Sequence, residues 1–284
     1  MDTMIKKLGA VLGGLALLIS NAGCTGAGAH DVAASAAPDH ALHNNNPPQR
    51  VQILLVGDST MATASGYGDQ FCAAFTAAVS CLNAARGGRS SASYRAEGLW
   101  EKVMETLRKG DQAEKIVLIQ FGHNDQPGKP GRSTDLATEF PRNLEQYVLD
   151  VKQAGGTPIL VTPLTRRTFV DGVLENNLRP WAQSAIDVAA HQRIEVIDLN
   201  FISSQAVQKM GQAEADTLAM APPPEKTPTP VDTKQTEKQG AAKSAFDRTH
   251  VGKKGAALFS AMVLQELVKL HPELVAMTST KGQP

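Results

Sequence analysis

The 284-residue chain is 42% hydrophobic and 20% charged, with 28 Lys+Arg balanced by 28 Asp+Glu. That apolar fraction suffices for a sizeable core and excludes wholesale disorder. Zero formal net charge and only 5% aromatics argue against charge-driven binding to nucleic acid or anionic membrane, and against an aromatic stacking platform.

Lys6 and Lys7 precede an uncharged, mostly apolar run from Leu8 to Ser20. The run is too short to span a bilayer and of the right length for a signal-peptide core. Two cleavage sites compete. Asn21-Ala22-Gly23-Cys24 resembles a lipobox, with Asn21 in place of the usual apolar residue, and would leave Cys24 as a lipidated first residue; Ala27-Gly28-Ala29 fits ordinary signal peptidase. The first is preferred, so residues 1–24 are expected to be a lipoprotein-type signal peptide. The expected location is then the periplasm or cell envelope as an outer-membrane lipoprotein, with plain secretion as the alternative. With Cys24 lipidated, Cys72 and Cys81 remain as an even pair in an oxidising compartment, either bridged or as two buried thiols. No CxxC or Cys/His spacing suggests zinc, so no metal is expected. Residues 25–50, rich in Ala, Gly, His, Asn and Pro, read as a disordered tether, and His30, His40 and His43 fall within it.

Order begins at Val51. Val51–Val56 is a short apolar run ending at Gly57, the signature of a buried strand. Phe71, Phe75 and Val79, four apart, predict a helix, and Leu82–Ala85 a weak second strand. Leu99, Val103 and Leu107 predict a helix ending at Gly110. Ile116–Phe121 is a strong strand; Phe140, Leu144, Tyr147, Val148 and Val151 form a helical face closed by Gly155-Gly156. Pro158–Thr162 is the next strand, Trp181 to Ala189 a helix, Ile194–Asp198 the fifth strand, and Gly255–Leu270 the last helix. This alternation predicts a five-stranded parallel, flavodoxin-like sheet in a three-layer α/β/α sandwich covering residues 51–284. Active sites in such folds lie beyond the carboxyl ends of the strands. One stretch departs from the pattern: residues 211–243, rich in Pro, Lys, Glu, Gln and Thr, read as a flexible surface insertion.

The first strand runs into Gly57-Asp58-Ser59-Thr60. A serine at a strand-to-helix turn projects its hydroxyl from the sheet rim, near helix N–H groups that favour negative charge; Asp, Ser and Thr are equally good helix caps. Serine needs a base. Of seven histidines, three lie in the leader, and His191 and His271 read as surface residues, leaving His123 and His250. Asp247 stands three residues before His250, a spacing that lets a carboxylate orient the imidazole while its other nitrogen faces the serine. The third strand ends in Gly122-His123-Asn124-Asp125, where the Asn124 amide can reach a developing oxyanion. Gly87-Gly88-Arg89-Ser90-Ser91 follows the second strand and lets backbone approach a reacting oxygen.

This constellation resembles the SGNH hydrolase superfamily, the GDSL esterases: Gly57-Asp58-Ser59, Gly88, Gly122-His123-Asn124-Asp125 and Asp247-Arg248-Thr249-His250. The additional stretches Gly66-Tyr67-Gly68-Asp69-Gln70-Phe71 and Gly87-Gly88-Arg89-Ser90-Ser91 are similar to the rhamnogalacturonan acetylesterase group. The resemblance implies Ser59 as nucleophile, His250 as base and Asp247 as orienting acid. It also implies an oxyanion hole from the N–H groups of Ser59 and Gly88 and the Asn124 side chain. The implied reaction removes O-acetyl groups from a polysaccharide, with no cofactor. The protein is separately expected to be a monomer that meets a membrane only through an N-terminal lipid anchor. Arg89, Arg166 and Arg167, after the second and fourth strands, are expected to pair with uronate carboxylates of pectin. A lysophospholipase or thioesterase of the same superfamily, and a non-catalytic glycan-binding surface protein, are the competing readings.

Overall fold

A computed structural model describes residues 51–223 and 246–279. The signal peptide, the Cys24 lipidation site, the tether and residues 224–243 of the insertion lie outside the described residues.

Val51–Gly57 forms β1, buried along its whole length, as an apolar run covered on both faces must be. A short helix α1 (Gly68–Cys72) leads to β2 (Val79–Asn83). Helices α2 (Ser91–Ala96) and α3 (Leu99–Lys109) precede β3 (Glu114–Gln120). Then come α4 (Glu139–Gln153), β4 (Thr157–Val161), the two-residue strands β5 (Phe169–Val170) and β6 (Val173–Leu174), α5 (Arg179–Gln192), β7 (Glu195–Ile197), α6 (Leu199–Asp216) and α7 (Lys253–Leu270). Five strands make one sheet in the order β2-β1-β3-β4-β7, every neighbouring pair parallel. This is the expected parallel α/β sandwich.

The pleat assigns alternate residues to opposite faces. Ile53 and Leu55 of β1, with Ile116 and Leu118 of β3, pack against Phe71, Val207, Phe259, Val263 and Leu267 from α1, α6 and α7. Leu54 and Val56, with Val117 and Ile119, pack against α3, α4 and α5. On α3 the buried residues are Trp100, Val103, Met104 and Leu107, one helical stripe, each worth about 1.5–3 kcal/mol of burial. The chain leaves β1 for β2 on one side and leaves β3 for β4 on the other. The crevice at the carboxyl ends of β1 and β3 is therefore the topological switch point.

Three local expectations are corrected. The helix inferred from Phe71, Phe75 and Val79 stops at Cys72. Phe75 instead bridges to Thr278, and Val79 opens β2. The three share a core, which explains their spacing, but a disulfide between Cys72 and Cys81 needs the chain to double back between them. The second strand accordingly starts three residues before the expected Leu82. The near end of the insertion is also ordered. Helix α6 continues through a kink at Gly211, whose φ is 72°, to Asp216, and Ala215 and Leu218 are buried in the core.

Candidate active site

Four loops meet at the switch point. The first is a tight turn after β1. Asp58 Oδ1 accepts the backbone N–H and the hydroxyl of Thr60, both at 2.8 Å. Its carbonyl accepts the N–H of Ala62 at 3.0 Å. Ser65 Oγ donates to the Ser59 carbonyl at 2.8 Å. A Cβ at Gly66 would stand 2.2 Å from the Thr60 carbonyl oxygen, so glycine is required for this closure. Ser59 therefore sits on a hydrogen-bonded turn and not at a helix N-terminus, since α1 starts only at Gly68. The expected helix dipole is absent because the closing turn takes the chain from residue 58 to 67.

The turn rests on a buried polar chain. Thr60 Oγ1 accepts from Gln120 Nε2 at 2.7 Å, and Gln120 Oε1 accepts from the Tyr67 hydroxyl at 2.6 Å. Behind it, Asp58 Oδ2 lies 3.3 Å from His123 Nδ1, both side chains buried. Burial pushes the Asp58 carboxyl up, but His123 and the Thr60 donors outweigh it and hold the group below its ordinary range. Burial likewise pulls His123 down, against the opposing pull of Asp58. His123 thus belongs to the support of the serine turn.

The second loop carries His250, the candidate base. His250 Nε2 is 2.8 Å from Ser59 Oγ, and His250 Nδ1 is 2.9 Å from Asp247 Oδ2. The other oxygen, Asp247 Oδ1, accepts the N–H groups of Thr249 and His250 at 2.8 and 2.6 Å. Burial pushes the Asp247 carboxyl up; the His250 ring and these N–H groups reverse that and leave it below the usual carboxylate range. An ionised Asp247 favours the imidazole tautomer with its proton on Nδ1, which leaves Nε2 as an acceptor facing the Ser59 hydroxyl.

The third region holds Gly88 and Asn124. Gly88 has a φ of 78°, the left-handed region that favours glycine. A Cβ on neighbouring Gly87 would lie 3.5 Å from Ser59 Cβ, so this loop packs directly on the serine. Asn124 Nδ2 donates one hydrogen to the Arg89 carbonyl at 3.0 Å; the amide carries a second. Arg132 joins the two, reaching the Gly88 carbonyl at 3.5 Å and Asn124 Oδ1 at 3.4 Å. Its contact with Oδ1 fixes the amide with its nitrogen toward the Arg89 side.

The three arginines expected to meet substrate are already engaged. Arg89 remains part-exposed at the rim, paired with Glu97 at 2.9 Å and bonded to the Gly87 carbonyl. Arg166 is buried and donates to Asn177 Oδ1 at 2.8 Å. Arg167 is wholly buried, its guanidinium on the carbonyls of Asp247 and His250. For Arg166 and Arg167 the expectation of a surface cation is corrected: the chain leaving β4 turns inward. His191 is exposed as expected. His271 is not: it lies among Glu195, Glu273 and Glu114 at 2.9, 3.0 and 3.4 Å. With Glu114 and Glu273 it brings metal-ligating atoms together, at the β3 amino end, away from the serine. Sequence reasoning missed Ser65, Arg132 and Gln120. Only Gln120, a polar residue closing an apolar strand, carried a visible signal.

The family model for the GDSL-like Lipase/Acylhydrolase family matches residues 55–258. The chain is 26% identical over 225 residues to the probable rhamnogalacturonan acetylesterase YesY of Bacillus subtilis, covering 77% of this chain and 93% of the relative. It is 29% identical over 228 residues to the rhamnogalacturonan acetylesterase RhgT of the same organism, covering 78% and 90%. In fold it is similar to an acetylxylan esterase from Geobacillus stearothermophilus, with a TM-score of 0.53 and 17% identity, over 76% of this chain and 93% of that one. The chain belongs to the GDSL-like Lipase/Acylhydrolase family, and with it to the carboxylic ester hydrolases.

Proposed function

We propose that the protein is an exported serine esterase that removes O-acetyl groups from a pectin- or rhamnogalacturonan-like polysaccharide. The observation that carries the chemistry is the unbroken run Ser59 Oγ, His250, Asp247 at 2.8 and 2.9 Å. The names of the two bacterial relatives support the substrate class. Export is supported by the Lys6-Lys7 and Leu8–Ser20 pattern and by the Cys72–Cys81 disulfide, a bond that persists in oxidising compartments. Anchoring through a lipid on Cys24 belongs to the same proposal.

In this mechanism Ser59 Oγ attacks the acetyl carbonyl carbon while His250 Nε2 takes the hydroxyl proton. The tetrahedral oxyanion receives hydrogen bonds from the N–H groups of Ser59 and Gly88 and from Asn124 Nδ2. The bond to the sugar oxygen breaks as His250 returns its proton to that oxygen, leaving acetyl-Ser59. Water then attacks the acyl carbon, His250 takes a proton from it, and acetate departs as Ser59 Oγ is reprotonated.

The test is acetate release from a panel of acetylated pectin, xylan and peptidoglycan by wild type and Ser59→Ala. Preferential release from the pectic substrate, lowered roughly 10³-fold or more in the variant, supports the reading. Ser59→Ala retaining turnover overturns the mechanism. Equal or greater release from xylan or peptidoglycan overturns the substrate class.

A further inference from the structure

Arg167 engages four consecutive carbonyls of the loop that carries the proposed acid and base. Its Nη2 donates to the Asp247 carbonyl at 3.0 Å and the His250 carbonyl at 2.7 Å. Its Nη1 reaches the Thr249 carbonyl at 3.4 Å, and its backbone N–H donates to the Arg248 carbonyl at 2.9 Å. No part of the side chain is exposed. We infer that Arg167 is a positioning residue, a clamp that sets the Asp247–His250 loop at the height from which His250 reaches Ser59.

Residues 247–250 lie outside any helix or strand, so their carbonyls lack ladder partners. Buried carbonyls must find donors. A guanidinium offers five N–H groups in a fixed planar fork, and an ammonium cannot span the same set. Arg167 stands in the segment between β4 and β5. The fork thus ties the Asp247–His250 loop to the chain that leaves the sheet at β4. Burial draws its guanidinium down to about 10, with Asp247 and Asp216 pulling the other way, so it stays charged at neutral pH.

A second set of bonds closes the ring. Asp216 holds the Arg248 guanidinium at 2.9 and 3.1 Å. Gln212 Nε2 donates to both Asp216 Oδ1 at 2.7 Å and the Arg167 carbonyl at 3.2 Å. The kinked end of α6 thereby braces the same loop from outside.

The inference rests on the esterase mechanism proposed above, and the experiment separates the two. Wild type, Arg167→Lys, Arg167→Met and Asp216→Asn are titrated with a p-nitrophenyl phosphonate that counts competent serines. Hydrolysis of a small neutral acetyl ester is then measured per titrated site. Lack of labelling at Ser59 in wild type would sink the esterase mechanism itself. Given labelling, kcat per site is expected to fall about 10²-fold in Arg167→Met, as for an ångström-scale misplacement. Arg167→Lys should recover part of that loss, and KM should hold throughout. Unchanged kcat per site with fewer sites would show a purely structural role and overturn the inference. A rise in KM at constant kcat would make Arg167 a substrate contact and overturn it as well. If the Arg167 variants yield no competent sites, Asp216→Asn decides: a several-fold lower kcat at unchanged KM supports the clamp, and wild-type kcat refutes it.

Discussion

Asp125 takes both the backbone N–H and the hydroxyl of Ser91 on one carboxylate oxygen, at 3.0 and 2.5 Å. The same oxygen accepts Thr134 Oγ1 at 3.1 Å, and the other accepts the Gly122 N–H at 3.0 Å. Through this one side chain the loop bearing Asn124 is fastened to the start of α2, and so to the loop bearing Gly88.

Burial pushes the Asp125 carboxyl up to about 7, with the Ser91 and Thr134 donors pulling it back. Its folded-state value then lies above its unfolded one, so ionisation opposes folding. The protonated contribution is fully present below about pH 4 and is lost as pH rises toward 7. Asp125→Asn has no such titration. Urea midpoints of the two proteins between pH 4.5 and 7.5 should show the wild-type advantage shrinking as pH rises, by on the order of 3 kcal/mol. An advantage that grows with pH would mean that Asp125 works as an anion at neutrality.

Asn124→Ala removes an amide already aimed by the Arg89 carbonyl and Arg132. In the proposed mechanism its interaction is realised with the oxyanion, so kcat should fall about 10²–10³-fold while KM stays near wild type. Steady-state kinetics on a small acetyl ester check this. An elevated KM at constant kcat would place Asn124 on the ground-state substrate.

Much of this was legible because the fold rule and the residue chemistry agree. The strands announced themselves as apolar runs, and Ser59 and Asn124 fell just past two of them, where the switch point lies. Asp247 and His250 were readable by their spacing. Arg167 was not, because an arginine after a strand looks the same whether its fork meets solvent or backbone. Ser65 and Arg132 were hidden for a related reason: their partners are main-chain or amide oxygens brought close only by the fold. Phe75 and Val79 misled because shared burial can imitate a helical period.

The Cys72–Cys81 disulfide closes a loop with a sequence separation of 9 between α1 and β2. Chain-entropy reasoning assigns such a loop about 2–3 kcal/mol. The double variant Cys72→Ser/Cys81→Ser should therefore melt about 5–10 °C lower. Small-ester turnover at 25 °C should persist, since neither cysteine touches the Ser59–His250 pair. Calorimetry and a rate assay on the same sample test both halves; unchanged melting would show that the crosslink constrains little.

Leu218 lies in the stretch whose composition suggested a flexible insertion. Its side chain is buried in the core beneath α7. Its carbonyl accepts the Gly252 N–H at 2.9 Å, and a Cβ on Gly255 would stand only 2.6 Å from that oxygen. The first turn of α7, which starts three positions after His250, is thus seated on this residue. Truncation should cost the transfer energy of the lost methyl groups plus the cavity left behind. For a buried leucine that is about 2–5 kcal/mol, or a melting point lower by about 5–15 °C in a domain of this size. Leu218→Ala, followed by thermal unfolding monitored by circular dichroism, measures it directly. A fall of under about 2 °C would return residues 217–223 to the class of dispensable surface loop. A large fall means that any shortening of the insertion has to begin after Leu218, because that side chain is part of the core on which the first turn of α7 is seated.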